Sequence, residues 1–170
     1  MDATKLKPID LADTQVRPAN SEDAERVSEL FAGVIRSLSY YSEQAKQEEI
    51  AALRADDISA IVDDVRYLLL VFPLPRRIIG ACLLRLDEGG VWWLAWIVTD
   101  TEFRGRKVAS ALIAAAKTLI RNAGGHKIWC DCRSNNDPSR KMLTKNGFRS
   151  LCEIKNHWYK QDFILWELSL

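Results

Sequence analysis

The sequence predicts a mixed α/β domain of the α+β kind, and three observations carry that prediction. Val27, Leu30, Phe31, Val34, Ile35 and Leu38 recur at helical spacing, as do Leu112, Ala115 and Leu119 further on. Apolar runs at 67–72, 77–86 and 91–99 read as strands, and Asp87–Glu88–Gly89–Gly90 turns the last two into an antiparallel hairpin. The strand at 91–99, the helix at 105–122 and a strand at 127–133 form a β-α-β unit, so the strands flanking the helix are expected to be parallel neighbours. The sum is an antiparallel meander, a crossover and a closing hairpin, in a chain of 170 residues that suits one domain at 14–170.

Residues 1–13 are polar and read as a loose arm. Residues 14–17 read as a short strand stopped by Pro18. Asn20 then caps a helix from about Ser21, with Asp23 near its positive end. Ser39–Tyr40–Tyr41–Ser42 breaks this helix, and Ser42 caps a second one that ends near Ala55–Asp56. A short helical piece follows at 58–62. The strand at 67–72 is expected to end at Pro73 and Pro75. Gly124–Gly125 closes the crossover helix. Asp137–Pro138 opens a short helix, with proline in the favoured first turn, and Asn146–Gly147 ends it. Residues 148–155 and 162–168 close the fold as two antiparallel strands around a loop at 156–161.

Hydrophobic residues make up 48% and charged residues 28%, the composition of a globular protein. No apolar run is long enough to span a membrane, and the polar N-terminus lacks a secretory core, which points to the cytoplasm. Net charge is +1 but uneven: residues 1–90 hold 11 Lys/Arg against 16 Asp/Glu, whereas 91–170 hold 13 against 7. Cys82, Cys130, Cys132 and Cys152 lack metal-site spacing, so all four are expected to be small, reduced, buried residues and no metal is expected.

The basic half contains the stretch on which function turns. Asp100–Thr101–Glu102–Phe103–Arg104–Gly105–Arg106–Lys107–Val108–Ala109–Ser110 joins the strand at 91–99 to the crossover helix. The first turn of a helix has unpaired N–H groups and the positive end of the dipole, and Arg104, Arg106 and Lys107 add full charges there. The ligand this predicts carries phosphate; the alternative is a solvated basic turn that binds nothing. A nucleic-acid surface would need a basic stripe and stacking aromatics that the sequence does not display.

Order and motifs together resemble the GNAT superfamily of acyl-CoA N-acyltransferases, from about residue 14 to the C-terminus. Ile97–Val98–Thr99 followed by Phe103–Arg104–Gly105–Arg106–Lys107–Val108–Ala109 is similar to that family's central strand and pyrophosphate loop. Asn136-x-x-Ser139-x-x-Met142-Leu143-x-Lys145-x-Gly147-Phe148 resembles its second cofactor segment, and Val16–Arg17–Pro18–Ala19 its usual opening. The resemblance implies a mostly antiparallel twisted sheet of about six or seven strands flanked by about four helices. It implies acetyl-CoA as donor, its pantetheine arm beside Ile97, Val98 and Thr99, and its pyrophosphate on N–H groups from Arg104 through Gly105, Arg106, Lys107, Val108 and Ala109 to Ser110. Asn136, Ser139 and Lys145 would meet the far side of the donor. Two positions depart from the family: Lys107 replaces a customary glycine, which Lys can do if φ stays negative, and Leu143 replaces a tyrosine that protonates the leaving thiolate.

The implied reaction moves an acetyl group from the thioester to a primary amine of a small molecule or peptide. It needs a base for the amine and donors for the oxyanion, plausible on the strand near Val98 or Thr99. That strand, Val91–Trp92–Trp93–Leu94–Ala95–Trp96–Ile97–Val98–Thr99, holds no carboxylate. His157 and Tyr159, in the final loop, are therefore the candidate base and acid, with an aromatic hairpin tip as the alternative. Tyr40, Tyr41 and Glu43 are candidates for the opposite wall. Strict alternation puts Trp93 on the face opposite Trp92 and Trp96, and it groups Asp131 with Trp129 and Arg133, where a structural ion pair is expected. The competing function is a regulatory domain that holds acyl-CoA without transferring it. A monomer and a homodimer are both compatible with the sequence.

Overall fold

Asn20 starts the first helical segment through a reciprocal cap. Its side chain accepts from the Glu22 N–H at 3.0 Å, and the Asp23 carboxylate accepts from the Asn20 N–H at 3.0 Å. The same carboxylate takes two bonds from Arg17, at 2.6 and 3.0 Å, and the guanidinium holds the Asp23 carboxyl below its usual range. These contacts fix the entry into α1 (Ala24–Arg36) from the short strand β1 (Arg17–Pro18). The computed structural model describes residues 16–170, so the arm at 1–13 and residues 14–15 of the expected strand lie outside it.

Ser42 caps α2 (Glu43–Ala51) by accepting from the Ala45 N–H at 3.2 Å. α3 (Ala55–Asp63) is a full helix rather than the short piece expected at 58–62, because Asp57 returns a 3.3 Å bond to the Arg54 N–H and starts it early. β2 (Tyr67–Leu74), β3 (Arg77–Leu86) and β4 (Val91–Thr99) form the antiparallel meander. Pro73 does not end β2: a register shift between Phe72 and Pro73 absorbs the missing N–H, and Pro73 still sits opposite Ile78.

α4 (Val108–Asn122) crosses to β5 (Lys127–Arg133), which is parallel to β4. α5 (Asp137–Lys145), β6 (Arg149–Ile154) and β7 (Phe163–Ser169) complete the chain. The seven strands run in the order β1-β2-β3-β4-β5-β7-β6, so the predicted mixed, mostly antiparallel sheet is the observed one, with five α-helices among the described residues.

Each sheet face has its own core. Phe31, Ile35 and Ile58 of α1 and α3 pack against Leu69, Val71, Ala81, Leu83 and Val98. On the other face Leu112, Ile120 and Leu143 of α4 and α5 meet Leu70, Cys82, Leu84, Leu94, Ile128 and Cys130. Leu94 and Val98 are both on β4 at even positions, yet they belong to opposite faces. The cause is a bulge: Leu84 pairs with Leu94 and Leu83 with Trp96, leaving Ala95 extra. Strict alternation therefore fails, and Trp96 turns away from Trp92 to join the α1 face. Cys82, Cys130 and Cys132 are buried as expected, whereas Cys152, on the edge strand β6, is exposed.

Gly80 of β3 is where the crossover helix comes closest to the sheet. A Cβ there would lie 2.4 Å from Val108 Cγ1 and 3.1 Å from Leu112 Cδ1. Val108 is β-branched and cannot swing aside, so the start of α4 would have to lift. Gly80→Ala is expected to destabilise the fold by roughly 1–3 kcal/mol, measured by denaturant unfolding.

Candidate active site

β4 and β5 pair for only three residues, Val91–Trp93 against Lys127–Trp129. Beyond that point each strand keeps its other partner. β4 pairs with β3 out to Thr99 opposite Gly80, and β5 pairs with β7 out to Arg133 opposite Phe163. The two central strands thus part without either unravelling. A cleft of about 1310 Å³ opens between them. Its lining draws on both faces: Cys130, Cys132, Met142 and Leu143 on the α4–α5 side, Trp93, Trp96, Asp131 and Arg133 on the α1–α2 side. The edge of β4 from Leu94 to Thr99 faces this cleft without a strand partner.

One end of the cleft is the turn from β4 into α4. Asp100 accepts from the Glu102 N–H at 3.0 Å, and Arg77 binds Glu102 at 2.7 Å and approaches Asp100 at 3.8 Å. Both carboxylates are thereby drawn to the outer side of the turn. α4 begins with no side-chain cap and no acidic residue in its first turn, and its first bond runs from the Ala111 N–H to the Lys107 carbonyl at 3.0 Å. The N–H groups of Val108, Ala109 and Ser110 therefore have no acceptor within the helix. Gly105 (φ 77°) and Lys107 (φ 65°) are both left-handed, a backbone that turns successive N–H groups toward one concavity. Lys107 thus does not keep the negative φ expected of it. It adopts the glycine conformation at a cost of about 1 kcal/mol.

Arg104, Gly105, Lys107, Val108, Ala109 and Ser110 line the cleft, as do Ile97, Val98, Thr99, Asn136, Ser139 and Lys145. Arg106 does not; its guanidinium lies over the Phe103 ring, 5.3 Å from the centroid.

The other end is a wall of aromatic and acidic side chains. Tyr40 and Tyr41 line it, whereas Glu43 faces solvent and pairs with Lys46 at 2.8 Å. Glu49 of α2 and Asp131 of β5 both line the cleft. Burial pushes the Glu49 carboxyl up against the pull of Arg133, and burial raises Asp131 against the bond it accepts from the Trp158 indole at 3.2 Å. Asp131 is therefore not half of an ion pair with Arg133. The Arg133 guanidinium is buried, donates from Nη1 to the Tyr40 carbonyl at 3.2 Å and to Gln161, and stacks on Tyr41 at 3.9 Å. Its Nε and Nη2 have no hydrogen-bond partner among the described residues.

The final loop is only partly in the cleft. Tyr159 lines it and donates its hydroxyl to Glu48 at 2.9 Å; burial and that carboxylate push the phenol up to about 12. His157 does not line it, and its ring packs on Trp158 (4.6 Å) and Phe163 (5.9 Å). The wall's carboxylates were not singled out from sequence as catalytic. Asp131 and Arg133 had a usable signal, two charged residues within an otherwise apolar strand that must find partners inside. Glu49 had none, being one acidic residue among several on a polar helix.

The chain belongs to the Acetyltransferase (GNAT) family, whose sequence profile matches residues 34–148, and it is accordingly an acetyltransferase by family. No curated protein matches it. Solved structures that share the fold include three N-acetyltransferases or GNAT-family acetyltransferases. The PaiA N-acetyltransferase from Thermoplasma acidophilum, in complex with coenzyme A, is 16% identical over 92% of this chain and 98% of its own, with a TM-score of 0.81. A GNAT-family acetyltransferase from Streptococcus pneumoniae is 15% identical over 93% and 99%, at 0.77. The ribosomal-protein-S18-alanine N-acetyltransferase from Escherichia coli is 12% identical over 92% and 93%, at 0.70.

Two substitutions test the turn. Arg104→Ala is expected to weaken acetyl-CoA binding by about tenfold, or about 1.4 kcal/mol, in a calorimetric titration; unchanged affinity would remove this turn as the diphosphate site. Lys107→Gly should relieve the left-handed strain and raise stability by up to about 1 kcal/mol in denaturant unfolding, offset in part by the greater freedom of the unfolded chain.

Proposed function

We propose that the protein transfers the acetyl group of acetyl-CoA directly to a primary amine carried by a small molecule or a peptide. The observation that carries this reading is the unpartnered edge of β4, which runs from the uncapped start of α4 toward two carboxylates whose acidity burial has weakened. The diphosphate of the donor would rest on the N–H groups of Val108, Ala109 and Ser110, reinforced by Arg104 and Lys107. The pantetheine arm would lie along Ile97, Val98 and Thr99 as an added strand. Asn136, Ser139 and Lys145 would contact the donor from the α5 side. A free main-chain N–H of β4 near Val98 would steady the oxyanion.

An amine must lose a proton to attack, and the wall supplies the acceptors. Glu49 and Asp131 take the place of the missing β4 carboxylate, directly or through one water. Their raised pKa values bring them nearer to neutrality, which suits a general base, and their ionised forms attract the cationic amine. Tyr159 serves as a latch, its bond to Glu48 tying the final loop to α2 across the acceptor mouth. His157, packed outside the lining, has no part in proton transfer.

The decisive experiment measures thiol release from acetyl-CoA across a panel of amines, beside a direct titration of acetyl-CoA binding. Turnover on a primary amine supports the transferase; tight binding without turnover on any amine would support a regulatory acyl-CoA-binding domain instead. For an acid whose folded pKa is raised, the fold disfavours the ionised form, so above its unfolded pKa it subtracts stability. Glu49→Gln and Asp131→Asn are therefore expected to keep or raise the melting temperature at pH 7, while turnover falls by roughly 10²-fold and the acidic limb of kcat/KM moves. A loss of stability in parallel with turnover would mark both residues as structural.

A further inference from the structure

The reaction also needs an acid for the departing sulfur, and position 143 cannot provide one. Leu143 is fully buried against the α4–α5 core and lines the cleft with no proton to give. Among the described residues, a cleft-lining phenol whose proton is not engaged comes from the opposite wall. Tyr40, in the connection between α1 and α2, reaches across to Asn136 at the start of α5, and the Asn136 amide nitrogen lies 2.9 Å from the Tyr40 oxygen.

The direction of that bond is fixed by the helix cap. Asn136 Oδ1 accepts from the Ser139 N–H at 3.2 Å, as an N-cap side chain does, so its NH₂ end must face Tyr40. Tyr40 is thus the acceptor. Its own proton has no protein acceptor among the described residues and is free to point into the cleft. The other phenols differ: the Tyr159 proton is held by Glu48, and the Tyr41 ring lies under the Arg133 guanidinium. Two cations favour the transient anion that proton donation would leave, since Arg133 and Arg104 both pull Tyr40 toward ionisation while burial opposes it more strongly.

We propose that Tyr40, held by Asn136, protonates the coenzyme A thiolate as it leaves. This rests on the reading of the cleft as a transferase site. In the step, the C–S bond of the tetrahedral adduct breaks with both electrons on sulfur. The Tyr40 proton passes to that sulfur and gives the free thiol. The tyrosinate regains a proton from solvent, and the proton the amine gives to Glu49 or Asp131 passes on to solvent, so the count is unchanged. The catalytic acid has thus moved from α5 to the α1–α2 connection, and Asn136 positions it from the element that lost the role.

The test uses the full chain with Tyr40→Phe, which keeps the ring contact to Tyr41 (centroids 5.6 Å apart) and removes only the hydroxyl. The first readout needs no acceptor: ultraviolet absorbance of the thiolate, titrated with pH in the binary complex with coenzyme A. A hydrogen bond from Tyr40 stabilises the thiolate, so the bound thiol should titrate about one pH unit higher in Tyr40→Phe than in the wild type. The second is amine acetylation, which should fall by roughly 10²-fold with acetyl-CoA affinity unchanged. Identical thiol titrations in the two proteins, with amine turnover intact, would overturn the role of Tyr40 alone. Absence of turnover in the wild type on every amine would count against the transferase reading instead.

Discussion

The structure depends on two central strands separating in the middle of a sheet. Backbone N–H and C=O groups in such a place are costly to leave without partners. β4 and β5 nonetheless release each other after Trp93 and Trp129. The separation is stable because neither strand stands alone: β3 holds β4 to its end, and β7 holds β5 to its end. The bulge at Ala95 adds twist at the point of parting and redirects β4. The consequence is an edge inside the protein, shaped for something extended, with a helix start at one end. Gly80 matters to the same arrangement, since it lets Val108 and Leu112 seat α4 against β3 beside the open edge.

The cleft differs in polarity between its two ends, and at the cationic end a side chain outside it draws the acids away. At the cationic end, Arg77 engages Asp100 and Glu102, the only acids close to the turn in sequence, and leaves Arg104 and Lys107 to face the cleft. At the anionic end, Glu49 and Asp131 lie among Tyr41, Trp96 and Trp158, where burial keeps their acidity weak. Arg133 lies beside them, donating to a backbone carbonyl and stacking on aromatic faces; it pulls on Glu49 through space but, among the described residues, forms no ion pair with either carboxylate. A buried guanidinium paired directly to Asp131 would have fixed that acid in its ionised form and removed it from proton traffic.

Local signals in the sequence carried most of the fold. Caps at Asn20 and Ser42, the Asp137–Pro138 start of α5 and the turn at 87–90 act within a few residues, and the elements they bound fall close to expectation. What the sequence hid was register. Nothing local marks Ala95 as a bulge, because a bulge is a mismatch with a neighbouring strand; Trp96, just after it, accordingly falls on the face opposite the one alternation gives. Pro73 misled for the same reason, its missing N–H being tolerated at a register shift. The site divided along the same line. The turn at 100–110 is contiguous and could be read, whereas Glu49, Asp131 and Tyr40 meet only through folding, from positions more than 80 residues apart between α2 and β5.

That division has a physical origin in what each part of the site is made of. In the proposed reading the turn would work through main-chain N–H groups, so it would constrain side chains weakly and backbone dihedrals strongly. Lys107 can replace a glycine there only by entering the left-handed region, and it does so at φ 65°. The proton-handling groups are side chains, and a proton can be delivered from any element that borders the sulfur or the amine. Such a role can leave one position and reappear on another without disturbing the scaffold, provided the new group is held as firmly as the old. The bond from Asn136 to Tyr40 meets that condition, because the amide that orients the phenol is itself fixed by capping α5. A leucine at position 143 then follows as packing rather than as loss: with the hydroxyl supplied from the opposite wall, that site is free to fill the core between α5 and the sheet.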